Sequence, residues 1–225
     1  MAGGSTSAAD ERGGAVPGEE IQIDIDGVAV RFWRAVGLHQ FVDADALLRD
    51  EAAPEPPYWM HLWPGALAMA RRLARAAEVG PGARILELGC GLALPSLVAA
   101  RRGARVVACD ALHAPLRFAR RSASDCGVAL LQMDWSAPAL RGGFDVCVGA
   151  DVAYDIDAEP ALAAALGGLS APHGVVWLAD SVNTARASLA RRLGDGGFTG
   201  AVHEVRECED GRPVWVRVIE ARHAT

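Results

Sequence analysis

The stretch R-I-L-E-L-G-C-G-L-A, Arg84 to Ala93, decides the fold. Ile85, Leu86 and Leu88 make a short apolar strand, Glu87 places an acid near its end, and Gly89 and Gly91 turn the chain toward a helix. Glycines there let the backbone adopt torsions that a side chain forbids and pass close to a ligand. A strand, a Gly-x-Gly turn and a helix in that order read as a nucleotide-cofactor loop.

Outward from this loop, strands and helices alternate. Strand candidates are 84–88, 105–109, 128–132, 145–149 and 174–179, with helices beginning near Pro95, Pro115, Glu159 and Thr184. Short continuous apolar strands between helices suit a parallel sheet covered on both faces. Segments 201–207 and 214–220 are separated mainly by Asp210-Gly211 and read as an antiparallel hairpin. The expected fold is α/β: a Rossmann-like, doubly wound, mostly parallel seven-strand sheet closed by a C-terminal antiparallel hairpin.

Upstream, residues 1–19 lack periodicity and read as a disordered tail, leaving 20–225 as one domain. Ile21, Ile23 and Ile25, then Val28, Val30 and Phe32, alternate with polar residues around Asp26-Gly27. That pattern predicts an N-terminal β-hairpin, an appendage within 20–50. An acidic, proline-rich loop over 50–58 delivers Tyr58, Trp59, His61 and Trp63. Pro64 opens a helix with Leu67, Ala70, Leu73, Ala74 and Ala77 on one face and Arg71, Arg72 and Arg75 on the other, ended by Gly80-Pro81-Gly82.

Composition narrows the function classes. The chain has 225 residues, 51% of them hydrophobic, enough for one sizeable core. A net charge of −6 opposes a surface built for nucleic acid or anionic membranes. No apolar run reaches the roughly 20 residues that span a bilayer, and no signal-peptide core begins the chain, so a cytoplasmic location is expected. Lysine is absent, and the richness in Ala, Gly, Arg and Val reads as coding bias of a GC-rich genome. Cys90, Cys109, Cys126, Cys147 and Cys208 form no C-x-x-C pair and read as reduced thiols. The histidines fall at no metal-ligand spacing and, like Arg101-Arg102 and Arg120-Arg121, read as structural or surface residues; no metal is expected.

The cofactor follows partly by elimination. A dinucleotide fingerprint needs Gly or Ala where Leu94 stands, and a P-loop needs a lysine that the chain lacks. What remains, E-L-G-C-G-L-A, resembles motif I of the class I methyltransferases, with Ala93 at the third glycine. Asp110 ends the second strand where a carboxylate can accept ribose hydroxyls. Asp134-Trp135 follows the third strand as an acceptor for an adenine amino group beside an aromatic face. Gly149-Ala150-Asp151-Val152-Ala153-Tyr154 ends the fourth, at the carboxyl edge where open sheets bind ligands.

Taken with P-P-Y-W-M-H-L-W-P-G-A over 56–66, these elements resemble the nicotinamide N-methyltransferase-like group of seven-strand enzymes. That group holds many protein-lysine methyltransferases, among them the electron-transfer-flavoprotein lysine enzyme. The resemblance implies S-adenosylmethionine as cofactor, held by Trp63, Gly89, Cys90, Gly91, Asp110, Trp135 and Ala150; the strand-end acid Glu87 and the adenine acceptor Asp134 join them from their positions in the sequence. It implies Asp151 and Tyr154 at the catalytic centre, Asp151 orienting the acceptor first and handling its proton second. Tyr58 and Trp59 stand either for packing or for a substrate channel. Three readings stay open: a protein-lysine methyltransferase of bacterial type, a methyltransferase for a small amine, amide or peptide, and a non-catalytic module that kept the cofactor fold. None of them specifies an oligomeric state.

Overall fold

The computed structural model describes residues 17–37, 57–182 and 187–224. The tail through residue 16, most of the loop ending at 58 and the helix start near Thr184 lie outside them. Two antiparallel strands come first, β1 (Gly18–Ile25) and β2 (Val28–Ala35). Asp26 and Gly27, with φ of 52° and 87°, form the left-handed two-residue turn that matches strand twist. β1 starts inside the stretch read as tail.

Helix α1 (Pro64–Arg75) precedes β3 (Arg84–Leu88), α2 (Leu94–Arg101), β4 (Arg105–Asp110), α3 (His113–Ser122) and β5 (Ala129–Gln132). After them come β6 (Phe144–Ala150), α4 (Glu159–Leu169), β7 (Ser170–Ser181), α5 (Ala187–Asp195), β8 (Phe198–Glu209) and β9 (Arg212–His223). The seven-stranded sheet runs β5-β4-β3-β6-β7-β9-β8. β9 is antiparallel to both β7 and β8, and the other pairs are parallel. This is the expected α/β architecture, including its C-terminal hairpin.

Strand alternation sends successive side chains to opposite faces, and both faces are covered. Ile85, Val146, Val148 and Trp177 pack with Met69, Leu73, Leu97 and Val98 on one side. Leu86, Cys147, Val176 and Leu178 pack with Leu162, Leu166, Leu189 and Leu193 on the other. The β1–β2 hairpin joins the first layer through Ile25, Val30 and Phe32, and the Trp33 amide donates to Ser122 Oγ at 2.9 Å.

Helix α1 is shorter than its sequence pattern suggests. It stops at Arg75, before Ala77 and the Gly-Pro-Gly turn, because Ala76 is already extended at φ −68°, ψ 131°. The Arg102 guanidinium donates to the Leu73 and Ala76 carbonyls at 2.8 and 2.6 Å, satisfying acceptors that the helix end leaves open. Arg102 is therefore a cap rather than part of a solvated face. Arg72 likewise turns inward, lying 4.0 Å from the Trp177 ring centroid and pairing with Glu220. Arg121 lies 5.0 Å from the Trp33 ring and helps hold the hairpin.

Candidate functional site

Four adjacent strands, β4, β3, β6 and β7, deliver a carboxyl group at or beside their carboxyl ends: Asp110, Glu87, Asp151 and Asp180. A cavity of about 510 Å³ opens along that edge, within the roughly 300–1,000 Å³ of small-molecule sites. Its floor is the turn between β3 and α2. Gly89 and Gly91 have φ of 65° and 49°, so neither accepts a side chain without strain. A Cβ on Gly89 would also come within 2.7 Å of Val152 Cγ1 and 3.2 Å of Trp135 Cζ3, which places the Trp135 ring over the loop. Ala93 occupies the left-handed region too, at φ 63°, where a third glycine would be unstrained.

Asp110 fastens this loop to the next strand. One carboxylate oxygen accepts the Gly91 amide and the other the Leu112 amide, both at 2.9 Å. Each oxygen keeps a further lone pair for a hydroxyl donor. Burial raises the Asp110 pKa against the pull of these amides. Glu87 is buried and accepts hydrogen bonds from the Ser96 amide, at 3.0 Å, and the Ser96 hydroxyl. It thus caps the first turn of α2. Burial pushes its carboxyl up to about 8, outweighing the Ser96 bonds. Burial, reinforced by Asp110 and Glu87, also holds the Cys90 thiol protonated.

Asp151 and Asp180 clasp the ends of β6 and β7. Asp151 Oδ1 accepts the Ser181 amide at 2.9 Å and the Ser181 hydroxyl at 3.2 Å, while its own amide donates to Ala179 O at 2.8 Å. In return Asp180 Oδ1 accepts the Ala153 amide at 2.9 Å. Asp151 Oδ2 faces the first turn of α1, where the Gly65 and Ala66 amides favour its charged form without a hydrogen bond of good geometry. Burial still raises the Asp151 pKa, and it pushes Asp180 up to about 7 with further contributions from Asp151 and Glu159. The clasp holds Asp151 at φ 52°, a left-handed torsion stored at the cavity wall.

At the mouth, Tyr58 and Tyr154 are exposed and their ring centroids lie 6.5 Å apart. Trp63 donates its indole N–H to Tyr58 O at 2.9 Å, and His61 meets its ring edge-on at 4.7 Å.

Of the residues read from sequence, Trp63, Glu87, Gly89, Cys90, Gly91, Asp110, Trp135, Ala150, Asp151, Tyr154, Tyr58 and Trp59 all line this cavity. Asp134 does not. It is exposed, and its carboxylate closes a turn onto the Ser136 amide at 2.8 Å. Trp59 is buried, with its ring 5.4 Å from Phe118 and its carbonyl beside Gly91, so it belongs to the glycine-loop wall and not the mouth.

Two residues escaped the sequence reading. His61 lines the cavity and pairs with Glu209 at 2.9 Å; its place inside the Tyr58–Trp63 aromatic cluster was the available signal. Asp180 could have been found by the rule that singled out Glu87 and Asp110, an acid at the end of a buried strand.

The donor set tests which ligand fits. Glu87, Asp110 and Asp151 line the cavity with no arginine beside them among the described residues, which repels pyrophosphate and attracts a cation. S-Adenosylmethionine carries ammonium and sulfonium charges on a nucleoside whose hydroxyls suit Asp110, and these residues fit it.

Comparison with known proteins agrees. A methyltransferase domain family model matches residues 86–178. The histone-arginine methyltransferase METTL23 of Xenopus laevis is 33% identical over 107 residues, 44% of this chain and 46% of that protein. The electron transfer flavoprotein beta subunit lysine methyltransferase of Danio rerio is 43% identical over 51 residues, 23% of this chain and 20% of that protein. The chain thus spans about half the length of these relatives or less. Among solved structures, magnesium protoporphyrin IX methyltransferase from Synechocystis with bound cofactor superposes with a TM-score of 0.59. It has 20% identity over 71% of this chain and 78% of that one.

The fold is that of the class I S-adenosylmethionine-dependent methyltransferases, and residues 86–178 match a methyltransferase domain model. Within that class, its sequence relatives include protein-lysine and protein-arginine enzymes, in line with the group that its motifs resemble.

Proposed function

We propose that this chain transfers the methyl group of S-adenosylmethionine to a side-chain nitrogen of a protein, with lysine as the acceptor. The observation that carries this reading is the open aromatic mouth. Exposed Tyr58 and Tyr154, packed ring against ring with centroids 6.5 Å apart, form an aromatic rim on which the stem of a side chain protruding from a larger surface can lie. The relatives that act on lysine or arginine of proteins support it.

Gly89, Cys90 and Gly91 would hold the methionine end, Asp110 the ribose, Trp135 the adenine face, and Trp63, Glu87 and Ala150 the remaining wall. When bound, the cofactor supplies a sulfonium methyl already activated for transfer. The protein must then present a neutral nitrogen in line. A lysine ammonium of ordinary pKa about 10.4 needs about 4.6 kcal/mol to be neutral at pH 7. An acceptor seated among Tyr58, Trp63 and Tyr154 would lose water, which favours its neutral form, against the attraction of the ring faces for a cation.

Asp151 acts here as a positioning residue more than as a base. Its Oδ1 is held by Ser181 and its Oδ2 is buried against the start of α1, and the Ser181 bond steadies the Ala150 carbonyl and Tyr154 at the mouth. The carbonyl can accept a hydrogen bond from the incoming amine while its proton leaves to water.

Incubation with labelled S-adenosylmethionine and a cell lysate, resolved by size and followed by hydrolysis to amino acids, tests the reading. Labelled methyl-lysine in a protein band is expected. A labelled small product points to a metabolite amine, and absence of label to a non-catalytic module; either result overturns the proposal.

A further inference from the structure

The two edges of the sheet differ in kind. β5 is a four-residue strand, a short edge of the sort that resists adventitious pairing. β8 is a twelve-residue edge whose pairing with β9 runs without a register shift from Phe198 to Glu209. It contains no proline and no bulge, and the charges it carries, Glu204, Arg206, Glu207 and Glu209, are of both signs. Among the described residues no strand pairs with its outer side.

We infer that β8 is a dimer seam: two copies pair antiparallel through their β8 edges about a two-fold axis at Val205, joining two seven-stranded sheets into one. The argument is the strand's own charge pattern. With Val205 facing its symmetry mate, Arg206 lies opposite Glu204 of the second copy and Glu207 opposite His203 of the second copy. Val202 lies opposite Cys208 of the second copy. Directly opposed side chains share a face in an antiparallel pair, so the two Arg206–Glu204 pairs set opposite charges side by side and the Val202–Cys208 pairs are apolar, while Glu207 stays on Arg71 of its own chain.

Neighbouring registers fail. A two-fold axis perpendicular to the sheet must keep each side chain on its own face, so it passes through a pair of identical residues. Moving it one residue either way sets Glu204 against Glu204 or Arg206 against Arg206, and like charges directly opposed are destabilising.

Two features of the single chain fit the seam. Arg206 is exposed and forms no ion pair among the described residues, whereas Glu204 already pairs with Arg217 at 3.2 Å and can receive a second guanidinium. Val202 is 51% exposed, a large apolar side chain on an otherwise charged strand, and the seam covers it.

Sedimentation equilibrium of the intact chain at about 50 µM is expected to give twice the 23.5 kDa chain mass. Arg206→Glu and Glu204→Arg each place like charges at both crossing pairs, so each variant alone is expected to be monomeric. Mixed one to one, they restore both pairs and should return to the dimer mass, a rescue that a folding defect does not produce. Val205→Cys in a Cys208→Ala background should cross-link to a disulfide dimer on mild oxidation. A monomeric wild type overturns the proposal, whatever else covers the edge. So does a dimer that survives both single variants, or a mixture of the variants that stays monomeric.

Discussion

Asp151 Oδ1 accepts both the amide and the hydroxyl of Ser181, at 2.9 and 3.2 Å, and this pair ties the last residue of β7 to the loop that carries Tyr154. Asp151 lines the cavity, while the cofactor loop is built on a different strand. Asp151→Asn keeps one acceptor but weakens the clasp. Affinity for S-adenosylhomocysteine should stay within about threefold while single-turnover methyl transfer falls about a hundredfold, the scale of misplacing reacting groups by about 1 Å. Equal losses in calorimetry and turnover would show that Asp151 serves the cofactor instead.

Gly65 bears on the same clasp from the other side. A Cβ there would meet Ala179 O at 2.2 Å and Asp151 Oδ2 at 2.3 Å. Backbone and carboxylate must both move to admit it, so Gly65→Ala should cost about 2 kcal/mol or more in urea unfolding. A variant as stable as wild type would mean that α1 can shift away from the clasp freely.

Glu87 makes stability depend on pH. Its carboxyl sits at about 8 in the folded protein and near 4.5 unfolded, so the folded state binds the extra proton between those values. Its contribution is complete below 4.5 and is lost as pH rises through 8. Glu87→Gln keeps an acceptor for Ser96 and removes the titration. The variant should lose less Tm than wild type between pH 5 and 8, with a difference on the order of 2 kcal/mol. Parallel melting curves for the two proteins would contradict this.

Cofactor binding should release a proton for the same reason. A cation beside Glu87 favours its ionised form, so calorimetric titration of S-adenosylmethionine near pH 7 should give enthalpies that vary with buffer ionisation heat. The effect should vanish in Glu87→Gln. Identical buffer dependence in both would assign the proton to another group.

Asp110→Ala removes the acceptor of the Gly91 and Leu112 amides as well as the ribose partner. Affinity for S-adenosylhomocysteine should fall about a hundredfold, since hydrogen bonds to charged groups contribute roughly 1.5–3 kcal/mol each. Unchanged affinity would refute the ribose role.

How far the sequence could be read depended on the range of each interaction. The glycine loop, the alternating strands and the acids of β3, β4 and β6 were legible because turn torsions and two-residue periodicity are local properties. Asp134 lies outside the cavity lining, and a carboxylate beside a tryptophan does not reveal that it closes a turn onto Ser136. Trp59 and Tyr58 are neighbours with opposite fates, one packed on Phe118 and the other exposed at the mouth. Their shared aromatic character could not separate them.

By itself, then, the chain from Arg84 to Tyr154 determined an α/β sheet, a Gly-x-Gly cofactor loop and a row of carboxyl groups at one sheet edge. Only the tertiary structure decided what those carboxyl groups do. Asp151 meets Ser181 and Asp180 meets Ala153 across 30 and 27 residues, and Arg72 reaches Glu220 across 148. Such partners are set by strand order and by which face each helix covers. The physical reason is that local patterns fix torsions, whereas burial and charge pairing depend on what the folded sheet brings alongside.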